Sequence, residues 1–400
     1  MKLLREKIEL EIRERGPIPF SRYMELCLYD ADLGYYSRNT EQFGKAGDFY
    51  TSSDVHAVFG RLMARQFAEM WRVLGSPEEI EVVELGPGRG LLAQDVLAWS
   101  EKKFPDFFRA LRYILIESSH SLLCRIQETL KDHLESGKAV CAVESSSFRR
   151  KIEKGTTSVA PYKAPNERAL PTEVPVIVFA NEFFDALPVE VLGPKGSLRI
   201  DAQDGRFVEK WERSSPEELE FLDRYSVHPE PGERLEIPLA AQRYVDRLAA
   251  SLSRGFTLIV DYGYTREEQL AGRHRGTLKA IRRHSISGNP YEAPGEQDIT
   301  ADVNFTALAA AAERQGMDTH KLVTQSQFLL GIGEANQFAD AFEDCRLPQE
   351  RAKVALQLKH LVTPAGMGES FHVLVAGKGV EREGIESLSG LTFGRRQLDR

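Results

Sequence analysis

A carboxylate set directly before a run of glycines, Glu84-Leu-Gly-Pro-Gly-Arg-Gly90, is the part of this chain that says most about its chemistry. Gly86, Gly88 and Gly90 let the backbone turn sharply and pass close to a ligand. The spacing is G-x-G-x-G rather than the G-x-G-x-x-G that cradles a pyrophosphate. Glu84 would repel a diphosphate but attract the ammonium and sulfonium of S-adenosylmethionine. A second acidic residue closes Tyr113-Ile-Leu-Ile-Glu-Ser118, where Glu117, with Ser118 beside it, can accept both hydroxyls of a ribose. The pattern favours a methyl donor over a nicotinamide and leaves a dehydrogenase poorly supported.

Three further patches carry polar groups at suitable places. Asn181-Glu-Phe-Phe-Asp-Ala-Leu-Pro188 follows an apolar run, and in an open parallel sheet the carboxyl ends of strands line the ligand crevice. Asn181, Glu182 and Asp185 would then lie beside whatever the glycine turn holds. The same residues would serve as a helix cap and a first-turn charge, but Phe183 and Phe184 next to two carboxylates favour a pocket for a cation. Gly44-Lys-Ala-Gly-Asp-Phe-Tyr-Thr51, which contains Asp48, reads as a lid loop or as a surface turn with buried aromatics. Asp261-Tyr-Gly-Tyr264 ends another strand, or is a turn in which Gly263 supplies positive φ.

The elements that must position these groups alternate. Strands are expected at 81–85, 112–117, 139–143, 175–180 and 256–261, with helices at 91–103 and 120–134 between them. Such alternation predicts an α/β fold with a parallel sheet covered on both faces. Helical periodicity at Leu3–Ile12, from Ser21, and at 55–74 makes residues 1–76 a helical cover with a lid loop. The methyl-donor domain would then be 77–400, with insertions at about 186–254 and 265–300. Short alternating runs at 189–192, 197–200 and 207–211 give the first insertion a small antiparallel sheet. Residues 265–300 show no clear period and read as loop. Helices are expected at 305–314 and 347–361, a last strand at 371–376, and a proline-punctuated connection at 155–175.

Bulk properties exclude several classes. Of the 400 residues, 42% are apolar, enough for a sizeable core. A net charge of -8 gives no general attraction to nucleic acid or anionic membrane. No apolar stretch is long enough to span a bilayer. The four cysteines lack C-x-x-C spacing and the histidines lack H-E-x-x-H, so no zinc site is expected, and Cys124 and Cys141 read as core thiols of a reducing compartment. The first fifteen residues mix glutamates with basic residues and resemble neither a secretory signal nor a transit peptide, which places the protein in the cytoplasm.

These motifs, together with Pro17-Ile-Pro-Phe-Ser-Arg-Tyr-Met24, Leu33-Gly-Tyr-Tyr36, Gly47-Asp-Phe49, Gly295-Glu-Gln-Asp-Ile-Thr300 and Gly366-Met-Gly368, resemble the MidA family in the same order from about residue 15 to 378. That family comprises S-adenosylmethionine-dependent methyltransferases related to a mitochondrial protein arginine methyltransferase needed for respiratory complex I assembly. The resemblance implies a class I methyltransferase fold, a seven-stranded Rossmann-like sheet with a helical N-terminal extension, and methyl transfer to arginine in a protein partner. The proline-rich 155–175 is longer than the family pattern leads one to expect. On this reading Glu84, Leu85, Gly86, Gly88, Gly90, Glu117, Ser118 and Asn181 hold the cofactor. Glu182 and Asp185, helped by Asp48, would take the guanidinium by bidentate hydrogen bonds and draw its charge to one side. An assembly chaperone that binds the cofactor without turnover, or a small-molecule methyltransferase, are the alternatives.

Overall fold

The structure is a computed structural model that describes residues 2–37, 57–143, 174–282 and 285–393. Asp48 with its loop 44–51, and the proline-punctuated stretch as far as 173, lie outside the described residues. The chain forms two compact units. One comprises Thr51–Glu182, Asp246–Asp261 and Ala311–Arg400, and the other Met1–Tyr50, Phe183–Val245 and Tyr262–Ala310.

The first unit is built on a sheet whose main strands are Ile80–Leu85, Leu111–Glu117, Ala139–Val143, Val176–Asn181, Gly255–Tyr264, Asp318–Thr319 and Phe371–Lys378. Counted along the chain, they lie side by side as third, second, first, fourth, fifth, seventh, sixth. The first five run parallel to one another. Ile80–Leu85 is buried at every position, as a central strand covered on both faces must be. The chain thus has the α/β methyltransferase sheet that its alternating pattern and motifs imply. Only the two-residue sixth strand escapes the pattern, being too short to show a period.

Helices cover this sheet with their apolar faces. Ala57–Val73 buries Phe59, Leu62, Met63, Phe67 and Met70, and the Phe67 ring meets that of Phe179 edge-on at 5.5 Å. Gly60 lets that helix touch Leu91–Lys103: a Cβ there would lie 2.4 Å from the Asp95 Cβ. The expected helix over 120–134 breaks at Leu130, leaving His120–Thr129 and Lys131–Glu135.

The second unit joins the N-terminal helices to both insertions. Lys2–Arg15 and Phe20–Tyr29 bury Leu4, Ile8, Ile12, Phe20, Tyr23 and Met24 in one core with Val191, Leu198, Ile200 and Ile299. The division therefore differs from a boundary at residue 76. The first two helices pack with the insertions, while Ala57–Val73 belongs to the sheet unit. The first insertion contributes Glu190–Gly193, Gly196–Gln203, Arg206–Glu212 and Leu235–Ile237, and Ile18–Pro19 pairs with the second of these. Asp204 and Gly205, both at positive φ, make the two-residue turn of its central hairpin.

Residues 265–300 are more ordered than their lack of period predicts. Lys279–Arg282 pairs with Ser285–Ser287 on one side and Asp298–Thr300 on the other, and Thr265 starts the helix Arg266–Leu270 through a capping box with Glu268. Strands of three or four residues cannot show a convincing alternation. Cys124 is exposed rather than a core thiol, because its helix turns Leu122, Leu123 and Ile126 inward. Among the described residues no helix is long and apolar enough to cross a membrane.

Candidate active site

In the sheet unit the residues expected to hold the cofactor gather at the carboxyl ends of three adjacent strands, Ile80–Leu85, Leu111–Glu117 and Val176–Asn181. The Glu84 carboxylate is 4% exposed and accepts a hydrogen bond from the Tyr113 hydroxyl at 2.9 Å. Burial, opposed by that bond and reinforced by the charge of Glu117, pushes its carboxyl up to about 7. Glu117 is held differently: its Oε1 accepts the backbone N–H groups of Ser118 and Ser119, both at 2.8 Å, where the chain enters the helix His120–Thr129. Between these two strands Gly86, Gly88 and Gly90 take φ of 63°, 55° and 76°, a left-handed run that side-chain-bearing residues rarely adopt. A Cβ on Gly90 would meet Leu130 and Ile126 at ordinary contact distances of 3.4 and 3.5 Å, so the glycine is called for by its positive φ.

Val176–Asn181 ends in Asn181, whose Nδ2 donates to Glu182 Oε1 at 3.2 Å. Asn181 Oδ1 is buried and has no hydrogen-bond partner among the described residues. Glu182 itself sits at φ 50°, and its N–H donates to the Val260 carbonyl at 3.0 Å. A non-glycine residue held there costs free energy that a functional site commonly retains. Leu85 is buried in the strand, so its side chain is closed to a ligand. Two buried carboxylates, a left-handed glycine run and an orphaned amide oxygen fit a cationic methyl donor carrying a ribose.

In the other unit Asp185, 6% exposed, accepts a hydrogen bond at Oδ2 from the Tyr262 hydroxyl at 2.5 Å. Burial pushes its carboxyl up to about 6, against the Tyr262 bond, the Ala186 N–H and the nearby charge of Lys279. Lys279 lies over the Tyr262 ring, 4.9 Å from its centre, and pairs with Asp302 at 2.9 Å. Tyr36 donates to Asp298 Oδ1 at 2.8 Å, and Tyr29 to the Ala186 carbonyl at 3.0 Å. Burial among the acidic groups of Asp298 and Asp185 pushes the Tyr36 phenol up. Phe183 and Phe184 pack edge-on against each other and against Tyr244, with ring centres 5.2 to 5.9 Å apart.

The family model described as "Putative S-adenosyl-L-methionine-dependent methyltransferase" matches residues 62–323. The chain belongs to this family. Its cofactor is S-adenosylmethionine. The protein arginine methyltransferase NDUFAF7 homolog of Drosophila melanogaster, a mitochondrial protein, is 32% identical over 94% of this chain and 85% of its own length. The human mitochondrial protein arginine methyltransferase NDUFAF7 is 25% identical over 90% of this chain. A methyltransferase-like protein of Burkholderia thailandensis, solved with bound S-adenosyl-homocysteine, superposes with a TM-score of 0.78 at 27% identity, over 97% of this chain and 94% of its own.

The relatives overturn the cytoplasmic expectation, since they are named as mitochondrial proteins. The charge mix that suggested it belongs to the helix Lys2–Arg15, whose Leu4, Ile8 and Ile12 are core residues; it reports packing, not address. Four residues of the Asp185 cluster, Tyr29, Tyr36, Tyr262 and Asp298, carry no role in the sequence reading. Tyr36, Tyr262 and Asp298 do stand inside the shared motif peptides at 33–36, 261–263 and 295–300, and that membership is the mark by which they are found.

Proposed function

We propose that this methyltransferase acts on arginine in a partner protein, with a respiratory complex I subunit as the candidate substrate to which the motif resemblance points. Two relatives that match most of the chain are named protein arginine methyltransferases. The single structural observation that carries the reading is Asp185, a buried carboxylate that accepts the Tyr262 hydroxyl, lies near the charge of Lys279 and is lifted to about 6 by burial.

Bound S-adenosylmethionine supplies an electrophilic methyl group on its sulfonium. Glu84 suits the cationic methionine end, Glu117 the ribose diol, and Asn181 Oδ1 a donor on the ligand. An arginine guanidinium keeps its charge in proteins and spreads it over three nitrogens. Asp185 would accept its N–H groups and draw that charge to one side, leaving one Nη richer in electrons. The glycine run and the strand ends fix Glu84, Glu117 and Asn181 before the cofactor arrives, and positioning of this kind supplies most of the acceleration.

Isotopically labelled S-adenosylmethionine, the protein and complex I subunits are incubated together, and the subunits are then weighed intact and fragmented. The expected outcome is label on an arginine. Label on another residue type or on a small molecule sinks the arginine reading, and cofactor binding without any labelled product favours the chaperone.

A further inference from the structure

In the unit that joins the N-terminal helices to the insertions, the strand Gly196–Gln203 has Arg206–Glu212 along one edge and two partners sharing the other. Glu190–Gly193 pairs with it at Gly196 and Ser197, and Ile18–Pro19 at Arg199 and Ile200. Where the first partner leaves and the second takes over, a cleft of about 220 Å³ opens, lined by Ser21, Glu190 and Arg199. The helix Leu239–Ser251 adds Leu239, Ala240 and Arg243, and Ser215 with the first turn of Pro216–Tyr225 adds Glu217 and Glu218. This volume lies below the roughly 300–1,000 Å³ of sites for drug-sized ligands and suits a metabolite of amino-acid size.

Most polar groups of the cleft are committed. Glu218 Oε2 accepts the Ser215 N–H at 2.6 Å and the Ser197 hydroxyl at 2.8 Å. Glu217 and Arg243 pair with each other at the rim, both about half exposed. One acid and one base remain. Glu190 Oε1 accepts the Ser21 hydroxyl, while its Oε2 is buried and has no hydrogen-bond partner among the described residues. Arg199 Nη1 lies 3.7 Å from that oxygen, an ion pair but beyond hydrogen-bond length. Burial outweighs both the Ser21 bond and the Arg199 charge and pushes the Glu190 carboxyl up. Arg199 donates from Nε to Glu212 at 3.3 Å and from Nη1 to the Leu198 carbonyl at 3.4 Å, and these bonds leave Nη2 to a ligand. A lone cation here would meet the Arg199 guanidinium, and a lone anion would meet Glu190. A molecule with ammonium and carboxylate on one carbon satisfies both. We propose that the cleft binds a free α-amino acid with an aliphatic side chain: Glu190 Oε2 accepts from its ammonium, Arg199 Nη2 donates to its carboxylate, and Pro188, Ile237 and Leu239 cover its side chain. Methyl transfer plays no part in this assignment.

The full-length protein is titrated calorimetrically with L-leucine, L-methionine and L-valine. At least one is expected to bind, and its amide and its N-acetyl derivative, each lacking one charge, should bind at least about tenfold more weakly. Glycine, which lacks the side chain, should lose about tenfold as well. Glu190→Gln should weaken the amino acid at least about tenfold. Ala240→Leu, which fills the cleft without touching either charge, should abolish binding, and S-adenosylhomocysteine affinity should be unchanged in both variants. No binding of the three amino acids overturns the proposal, and so does equal binding of the amide or the N-acetyl derivative. Wild-type affinity in Glu190→Gln, or in Ala240→Leu should the first variant fail to fold, overturns it too.

Discussion

Glu117 and Asp185 are both buried acids at proposed binding positions, yet one accepts two backbone amides at the same oxygen while the other is held by a phenol and one backbone amide with Lys279 nearby. Backbone N–H groups are fixed dipoles that favour the charged carboxylate. Burial outweighs the Tyr262 phenol, the Ala186 N–H and the charge of Lys279, and lifts Asp185 to about 6. On the proposed acceptor side, Asp185 would take up its charge when a cation arrives.

The sharpest way to break that contrast is Asp185→Asn. Methyl transfer should fall by at least ~100-fold, on the scale of about 3 kcal/mol for a lost charge-assisted pair, with S-adenosylhomocysteine affinity within twofold. In wild type kcat/KM should rise as pH increases through about 6, where Asp185 gives up its proton, and the variant should lack that limb. Parallel loss of rate and cofactor in single-turnover and titration measurements would place Asp185 with the cofactor instead.

A smaller effect is expected from the other side of the comparison. Glu117→Ala should weaken S-adenosylmethionine by about 1.5–3 kcal/mol, the range for hydrogen bonds to a charged group. Titration calorimetry reads it, and unchanged affinity would make Glu117 a brace for the turn at Ser118 and Ser119.

Glu84 sharpens the comparison through pH. Its folded-state carboxyl is raised from 4.5 to about 7, so the stability tied to its proton is present below the unfolded value and is lost as pH rises through about 7. Glu84→Gln should therefore melt higher than wild type at pH 8, by up to about 3 kcal/mol of stability, and show no such gain at pH 4. The same variant should bind S-adenosylmethionine more weakly. Equal melting curves at both values would mean that Tyr113 already offsets the burial.

The two sites were unequally legible in the sequence, for a physical reason. Glu84, the glycines and Glu117 are joined to their structural partners by strand ends and the next few residues, so spacing alone brings them together. The Asp185 cluster is assembled from contacts that no local period encodes: Tyr262 is 77 positions away, and Tyr36 lies 262 from Asp298. The positive φ of Glu182 is likewise imposed by its surroundings. Among the elements, the long apolar strands and the helix Phe305–Arg314 fall where their patterns put them, while Asp318–Thr319 and Asp298–Thr300 are too short to be read. The helix Pro216–Tyr225 is a different case, since Ser215-Pro-Glu-Glu218 spells out a capping box with proline at the first turn and is visible in the sequence once sought.

The core shared by Leu4, Ile8 and Ile12 with Ile299 has a consequence for how this protein is made. The first helix leaves the ribosome early, but the residues that complete its apolar partner surface are translated near position 300. At about 5–20 residues per second that is roughly 15–60 s of synthesis. Until then the Leu4–Ile12 stripe closes against Phe20, Tyr23 and Met24 and then against Val191, Leu198 and Ile200, so the core of this unit is finished last, by Ile299.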